Sequence, residues 1–197
     1  MPFVIQSETV ITSSMTPIRI PNYAFVDGQN LYHGLEELGY ELKYQEFIEY
    51  LKGKYKCQKV FVFFKENQKF DGFYAELTKM GYIVILSKSH NRVNGVTKSN
   101  VDGDLIVKAM SDYFESQKHN LILLSGDGDF LPLINFYEKK DHFVQIISTD
   151  YDHTSVFLKR KGESQNYQKR NISYFFTSNV EYRKNTLYQF LQVISKT

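Results

Sequence analysis

The stretch "LILLSGDGDF", Leu121 to Phe130, runs four apolar residues straight into Ser-Gly-Asp-Gly-Asp, and its reading decides the fold. A short apolar run without polar alternation is the pattern of a strand covered on both faces in a parallel sheet. The two carboxylates that follow belong either to a surface turn, where Gly and Asp are ordinary residues, or to a site on the rim of the sheet. The rest of the chain chooses between them.

Four more runs of the same kind occur at Tyr23 to Val26, Val60 to Phe64, Tyr82 to Leu86 and Phe143 to Ile147. Each is short, rich in β-branched or aromatic residues, and bounded by polar or glycine-containing segments. Segments of helical spacing lie between them. Leu31 to Leu51 predicts two short helices broken near Gly39, and Phe70 to Met80 predicts one ended by Gly81. A third opens at Ser99-Asn100-Val101-Asp102, with Val101, Leu105, Ala109 and Tyr113 every four residues. The fourth spans Asp129 to Lys140, where Pro132 is tolerated because it falls in the first turn.

Strands alternating with helices imply right-handed βαβ units and helices on both sheet faces. The expected fold is therefore α/β, a doubly wound three-layer α/β/α domain around a central parallel sheet of about five strands. It occupies residues 21–150, preceded by an extension over 1–20 that is either disordered or an edge strand. Residues 151–197 form a C-terminal extension. There "NISYFF" reads as a further strand, and Leu187, Phe190, Leu191 and Ile194 predict a terminal helix packing on the domain.

The chain has 197 residues and 42% hydrophobic content, enough for one domain with a substantial core. No apolar run approaches the roughly 18 to 20 residues that cross a bilayer, and the N-terminus does not read as a signal peptide, so the expected location is cytoplasmic. The single cysteine, Cys57, excludes an intramolecular disulfide and any multi-cysteine zinc cluster. A net charge of +2 says little by itself, but "KSHNRVNGVTK" and "KRKGESQNYQKR" concentrate cations on two segments. The five histidines show no ligand spacing and read mostly as surface residues, with His33 and His90 near the expected rim.

In open α/β sheets, ligands bind beyond the carboxyl ends of the strands. Strand one ends in "AFVDGQN", which places Asp27 there and Asn30 one turn on; strand four places Asp127 and Asp129 likewise. "SNVDGDL" sets Asp102 and Asp104 at a helix start on the same rim. Singly, each acid reads as a turn residue or a helix cap, Asp102 with Ser99 among them. Together they repel one another unless a cation compensates, and oxygen donors without Cys or paired His favour a hard ion such as Mg²⁺ or Mn²⁺. Asp102 shares a helix row with Ala109 and Tyr113 and faces inward. Asp104 shares its row with Lys108, with which it pairs at i+4, and faces solvent.

The elements "FVDGQN", "NVDGDLIVKAM", "LLSGDGDFLPLI" and "VQIIS", in this order over Tyr23 to Ser148, resemble the NYN domain family of PIN-like metal-dependent ribonucleases. The resemblance implies a Rossmann-like PIN fold in which strands one and four are neighbours, and a divalent-metal site that cleaves RNA. Carried over, it implies Asp27, Asn30, Asp102, Asp127 and Asp129 as catalytic residues, with the four aspartates as metal ligands. Ser125 and Asn30 would position water or phosphate, while Lys88, Arg92 and Lys98 would bind the RNA backbone. The chain departs from the family pattern where Asn100-Val101 replaces Lys-Gly before the helix acid. It departs again where "KRKGESQNYQKR" replaces the apolar stretch after Ser155 and Leu158.

The leading expectation is hydrolysis of RNA phosphodiester bonds. Two alternatives use the same fold: a non-catalytic RNA-binding or regulatory module, and a phosphohydrolase of small phosphate esters. A haloacid-dehalogenase-like reading of "FVDGQN" fails, because Gln29 stands where a second Asp is needed. RNA is the expected partner, a homodimer is admitted, and no membrane is. Asp27, Asp102 and Asp127 are expected within about 4 to 6 Å of one another, given metal–oxygen bonds of about 2.0 to 2.6 Å.

Overall fold

The structure, a computed structural model, describes residues 19–88, 90–91, 97–142, 144–163, 172–176 and 187–193. Six strands form the central sheet: β1 (Asn22–Asp27), β3 (Cys57–Lys65), β4 (Ile83–Ser87), β7 (Asn120–Leu124), β8 (Val144–Asp150) and β9 (Ile172–Phe176). Their order is β4-β3-β1-β7-β8-β9 and every pairing is parallel. The sixth strand is the "ISYFF" run, one more than the five expected.

Alternate residues of each strand bury into opposite layers, as the two-residue side-chain period requires. Ala24 and Val26 of β1 pack with Leu31 and Leu35 of α1 (Gly28–Glu37), Phe47 and Leu51 of α2 (Tyr44–Lys54) and Leu77 of α3 (Asp71–Met80). Tyr23 and Phe25 of the same strand pack with Leu105 and Ala109 of α4 (Val101–Ser111) and Ile134 and Tyr137 of α5 (Leu131–Lys139). The α/β/α layering therefore follows from strands that are apolar on both faces.

The helix boundaries follow local chemistry. α1 ends before Gly39, whose φ of 80° no side-chain-bearing residue adopts cheaply, and Gly81 ends α3 in the left-handed conformation with φ of 99°. Between α1 and α2 the chain inserts β2 (Tyr40–Leu42). Two short strands, β5 (His90–Asn91) and β6 (Thr97–Lys98), pair between β4 and α4. α6 (Val156–Glu163) follows β8.

The expected terminal helix is not what forms. Tyr188–Phe190 is a single 3₁₀ turn, and Leu191–Val193 is a strand, β10, antiparallel to β2. Its apolar residues fit helical spacing, but Leu187, Phe190 and Leu191 are buried in the α1–α3 layer, and Lys43 N–H donates to Phe190 O at 2.8 Å. Pairing the open edge of β2 outweighs helix propensity in so short a run.

The histidines also differ from expectation, since His119 and His142 are buried. His119 stacks on Tyr23 and its Nε2 lies 2.7 Å from Tyr137 Oη, while His142 Nε2 lies 3.0 Å from Tyr113 Oη. Burial, first of all, holds both imidazoles below their ordinary pKa. Residues 1–18, most of the N-terminal extension, lie outside the described residues. Among the described residues no helix is long and apolar enough to cross a membrane.

Candidate active cleft and metal centre

β1 lies between β3 and β7, so successive connections leave it in opposite directions and open a crevice beyond the ends of β1 and β7. A cleft of about 1210 Å³ occupies that crevice. Asp27, Asn30, Asp102, Asp127 and Asp129 all line it. Five residues from three separate segments of the sequence thus line one cleft.

Asp27 ends β1 and is nearly inaccessible, at 4% exposure. Its Oδ1 accepts the Asn30 N–H at 3.1 Å, which caps α1, and its Oδ2 accepts from Ser125 Oγ at 3.3 Å. Ser125 Oγ in turn accepts the Asp127 N–H at 3.1 Å, and Asp127 Oδ1 accepts the Asp129 N–H at 2.9 Å. One hydroxyl therefore ties the end of β1 to the loop after β7. Ser125 is buried and does not line the cleft, so its place is beneath the acids rather than against substrate.

The cap of α4 is Asn100, whose Oδ1 accepts the Gly103 N–H at 3.2 Å. This displaces the Ser99–Asp102 capping arrangement and leaves the Asp102 carboxylate turned to the cleft. Asp104 is exposed and outside the cleft lining, and Lys108 does not pair with it. Lys108 Nζ lies 2.7 Å from Asp112 Oδ1 instead, one turn in the other direction.

The acids perturb one another. Burial pushes the Asp27 carboxyl up to about 6, against the hydrogen bond from Asn30 N–H, with the charges of Asp102 and Asp127 adding to the rise. Asp102 is also raised, first by burial and then by Asp127 and Asp129. Such a set of partly buried oxygens, unrelieved by Lys or Arg among the described residues of the cleft lining, has the donor chemistry of a site for a hard divalent cation.

The acids are not, however, drawn together into a ready ligand set. Among the described residues no group of three or more His, Cys, Asp or Glu is placed to hold a metal ion. Both Asp27 oxygens accept from internal donors, and Asp127 Oδ1 accepts from the Asp129 amide.

Of the three cations expected at the entrance, only the Lys88 side chain is among the described residues. Lys88 follows edge strand β4, is exposed, and does not line the cleft. Arg92 and the side chains of Lys98 and His90 lie outside the described residues.

A second wall comes from the end of β8 and the approach to α6: Ser148, Thr149, His153, Ser155 and Phe157. Sequence reasoning missed it. The signal lay in "STDYDHTS", where an apolar run again ends in acids, as in strands one and four. Gly126 and Gly128 are explained by this wall, not by a sharp bend, since neither has positive φ. A Cβ on Gly126 would stand 2.6 Å from Ser148 Oγ, and one on Gly128 2.5 Å from Ser155 Oγ. Asp150, buried at the end of β8, accepts the His153 N–H at 2.8 Å and lies 2.7 Å from His153 Nδ1.

A parallel sheet in this order, with aspartates at the crossover, is the architecture of a PIN-like α/β fold. The NYN domain family model matches residues 23–165, and the chain belongs to that family. It is 26% identical over 138 residues to the low amplitude and bright protein LabA of Synechococcus elongatus, a match covering 64% of this chain and 72% of that one. The crystal structure of a Vibrio parahaemolyticus protein of unknown function shares the fold, with a TM-score of 0.61 and 18% identity. That likeness covers 85% of this chain and 98% of the other.

Proposed function

We propose that the protein is a divalent-metal-dependent ribonuclease that hydrolyses RNA phosphodiester bonds in this cleft, acting in the cytoplasm. NYN family members are typically ribonucleases, and divalent-metal dependence is general among them. The observation that carries the reading is the meeting of Asp27, Asp102, Asp127 and Asp129 in one cleft at the β1/β7 crossover.

These four aspartates would hold Mg²⁺ or Mn²⁺, which when bound supplies an activated water and neutralises charge on the scissile phosphate. Asp27 is positioned for this by Asn30 N–H and Ser125 Oγ, which fix both of its oxygens. The Asn30 side chain, on the first turn of α1, faces the cleft and would orient phosphate or water. Lys88, Arg92 and Lys98 would attract the RNA backbone, giving affinity without base choice.

The test is cleavage of single-stranded and structured RNA with and without Mn²⁺, beside the Asp127→Asn protein. Loss of cleavage with both EDTA and the substitution supports the reading. Undiminished cleavage by a folded Asp127→Asn protein removes it. One observation favours a second reading, a non-catalytic RNA-binding module: the described residues hold no preassembled three-ligand group. Tight RNA binding without metal, together with no cleavage in Mn²⁺, is its signature.

A further inference from the structure

His153 lines the same cleft as the aspartates without being one of them, and the buried Asp150 lies behind it. Asp150 ends β8, the strand beside β7, and so stands on the same rim. Its carboxylate is buried and is met by both the backbone N–H and the Nδ1 of His153. With Nδ1 engaged inward, the other imidazole nitrogen, Nε2, is left for the cleft. The His153 side chain is 70% exposed.

A buried carboxylate needs a partner, but a partner so exposed adds little to stability. What the pairing does achieve is to orient the imidazole and favour its protonated form. Among the described residues that line the cleft there is no Lys or Arg, and only His33 and His153 can carry positive charge. His33 pairs with the exposed Glu36 at 3.7 Å and packs edge-on against the exposed Tyr32 ring, and among the described residues it has no buried carboxylate behind it.

We propose that His153, oriented by Asp150, is the residue that binds a backbone phosphate of the RNA strand beside the aspartate cluster. The inference rests on the ribonuclease reading of the cleft and adds a substrate contact to it. A phosphate here meets an imidazolium whose N–H points outward, a charge-assisted contact that partly offsets the repulsion between RNA and the carboxylates. The charged groups acting on His153 are Asp150 of β8, Glu37 of α1 and Asp152 of its own loop, and His33 lines the same cleft. Lys159 of α6 donates to the Asp152 carbonyl at 3.3 Å. The bond to Asp150, helped by Asp150's charge and by Glu37 and Asp152, holds the imidazolium above its ordinary pKa.

The test is fluorescence anisotropy with a short labelled single-stranded RNA, in EDTA and again in Ca²⁺, for wild type, His153→Gln and His153→Lys. His153→Gln weakens binding by about five- to tenfold, one charge-assisted contact. It also lowers the slope of log affinity against log salt by about 0.7. His153→Lys, which keeps a cation but cannot titrate near neutrality, restores affinity. Wild-type binding weakens from pH 6 to pH 8 more than that of either variant, which removes the contributions of Asp27 and His33 from the comparison.

Equal affinity and equal salt slope in wild type and His153→Gln overturn the inference and leave the ribonuclease reading standing. Wild type that neither binds nor cuts RNA overturns both. Unchanged melting temperatures confirm that the variants report on binding, as expected for an exposed side chain.

Discussion

Ser125 Oγ donates to Asp27 Oδ2 at 3.3 Å, joining residues 98 positions apart across the ends of β1 and β7. The same oxygen accepts the Asp127 N–H, so a single hydroxyl sets both carboxylate-bearing segments. The site is thereby braced from below, while its upper surface is a set of acids that repel one another.

Asp27→Asn should stabilise the metal-free protein while abolishing cleavage. The native carboxyl titrates at about 6 against 3.8 for the ordinary group, so the folded state holds the proton more tightly and loses relative stability as pH rises through that window. At about 1.4 kcal/mol per unit, the cost at neutral pH is on the order of 2 to 3 kcal/mol. Thermal melts in EDTA should show the variant more stable at neutral pH, and the difference should shrink towards pH 4. An equal or lower melting temperature at neutral pH removes the argument.

Asp127→Asn should keep the fold, because asparagine can still accept the Asp129 N–H. If Asp127 holds the ion as proposed, cleavage of RNA should fall by about 10- to 100-fold or more, since even groups behind metal ligands cost that much when removed. Mn²⁺ should raise the melting temperature of wild type and not of this variant, which a thermal-shift titration reads directly.

Gly126→Ala should destabilise by about 1 to 3 kcal/mol, since the new Cβ would meet Ser148 Oγ at 2.6 Å. The next contact is 3.6 Å away, so Gly126→Ala with Ser148→Ala should recover much of the loss. Urea midpoints of the two single variants and the double variant close this cycle. Strict additivity would show that the close approach is not the cause.

Phe190→Ala should cost about 3 kcal/mol, because Phe190 is buried against Phe47 and Tyr50 at ring distances of 5.4 and 4.7 Å. The same change should speed amide exchange at Lys43, whose N–H bonds to Phe190 O. An unchanged midpoint would detach β10 from the core.

Much of this was legible in short stretches. The apolar runs at Tyr23, Val60 and Leu121 became central strands because a run apolar on both faces has no stable place except between two layers. Gly81 marked a helix end because its backbone conformation is one that glycine tolerates. The run around Leu187 to Ile194 misled because its spacing suits a helix as well as a strand, and only the open edge of β2, far away in sequence, decides between them. His119 and His142 looked like surface residues because nothing local announces the tyrosines that bond them.

The sequence by itself determined the alternation of strands and helices and the presence of aspartates at the strand ends, because both follow from local periodicity and turn chemistry. Tertiary structure decided what those acids meet. The hydroxyl beneath Asp27, the withdrawal of Asp127 onto the Asp129 amide, and the arrival of His153 and Asp150 depend on contacts between β1, β7 and β8. Such contacts are set by strand order and packing, whereas a local pattern such as "STDYDHTS" announces only that a strand ends in acids.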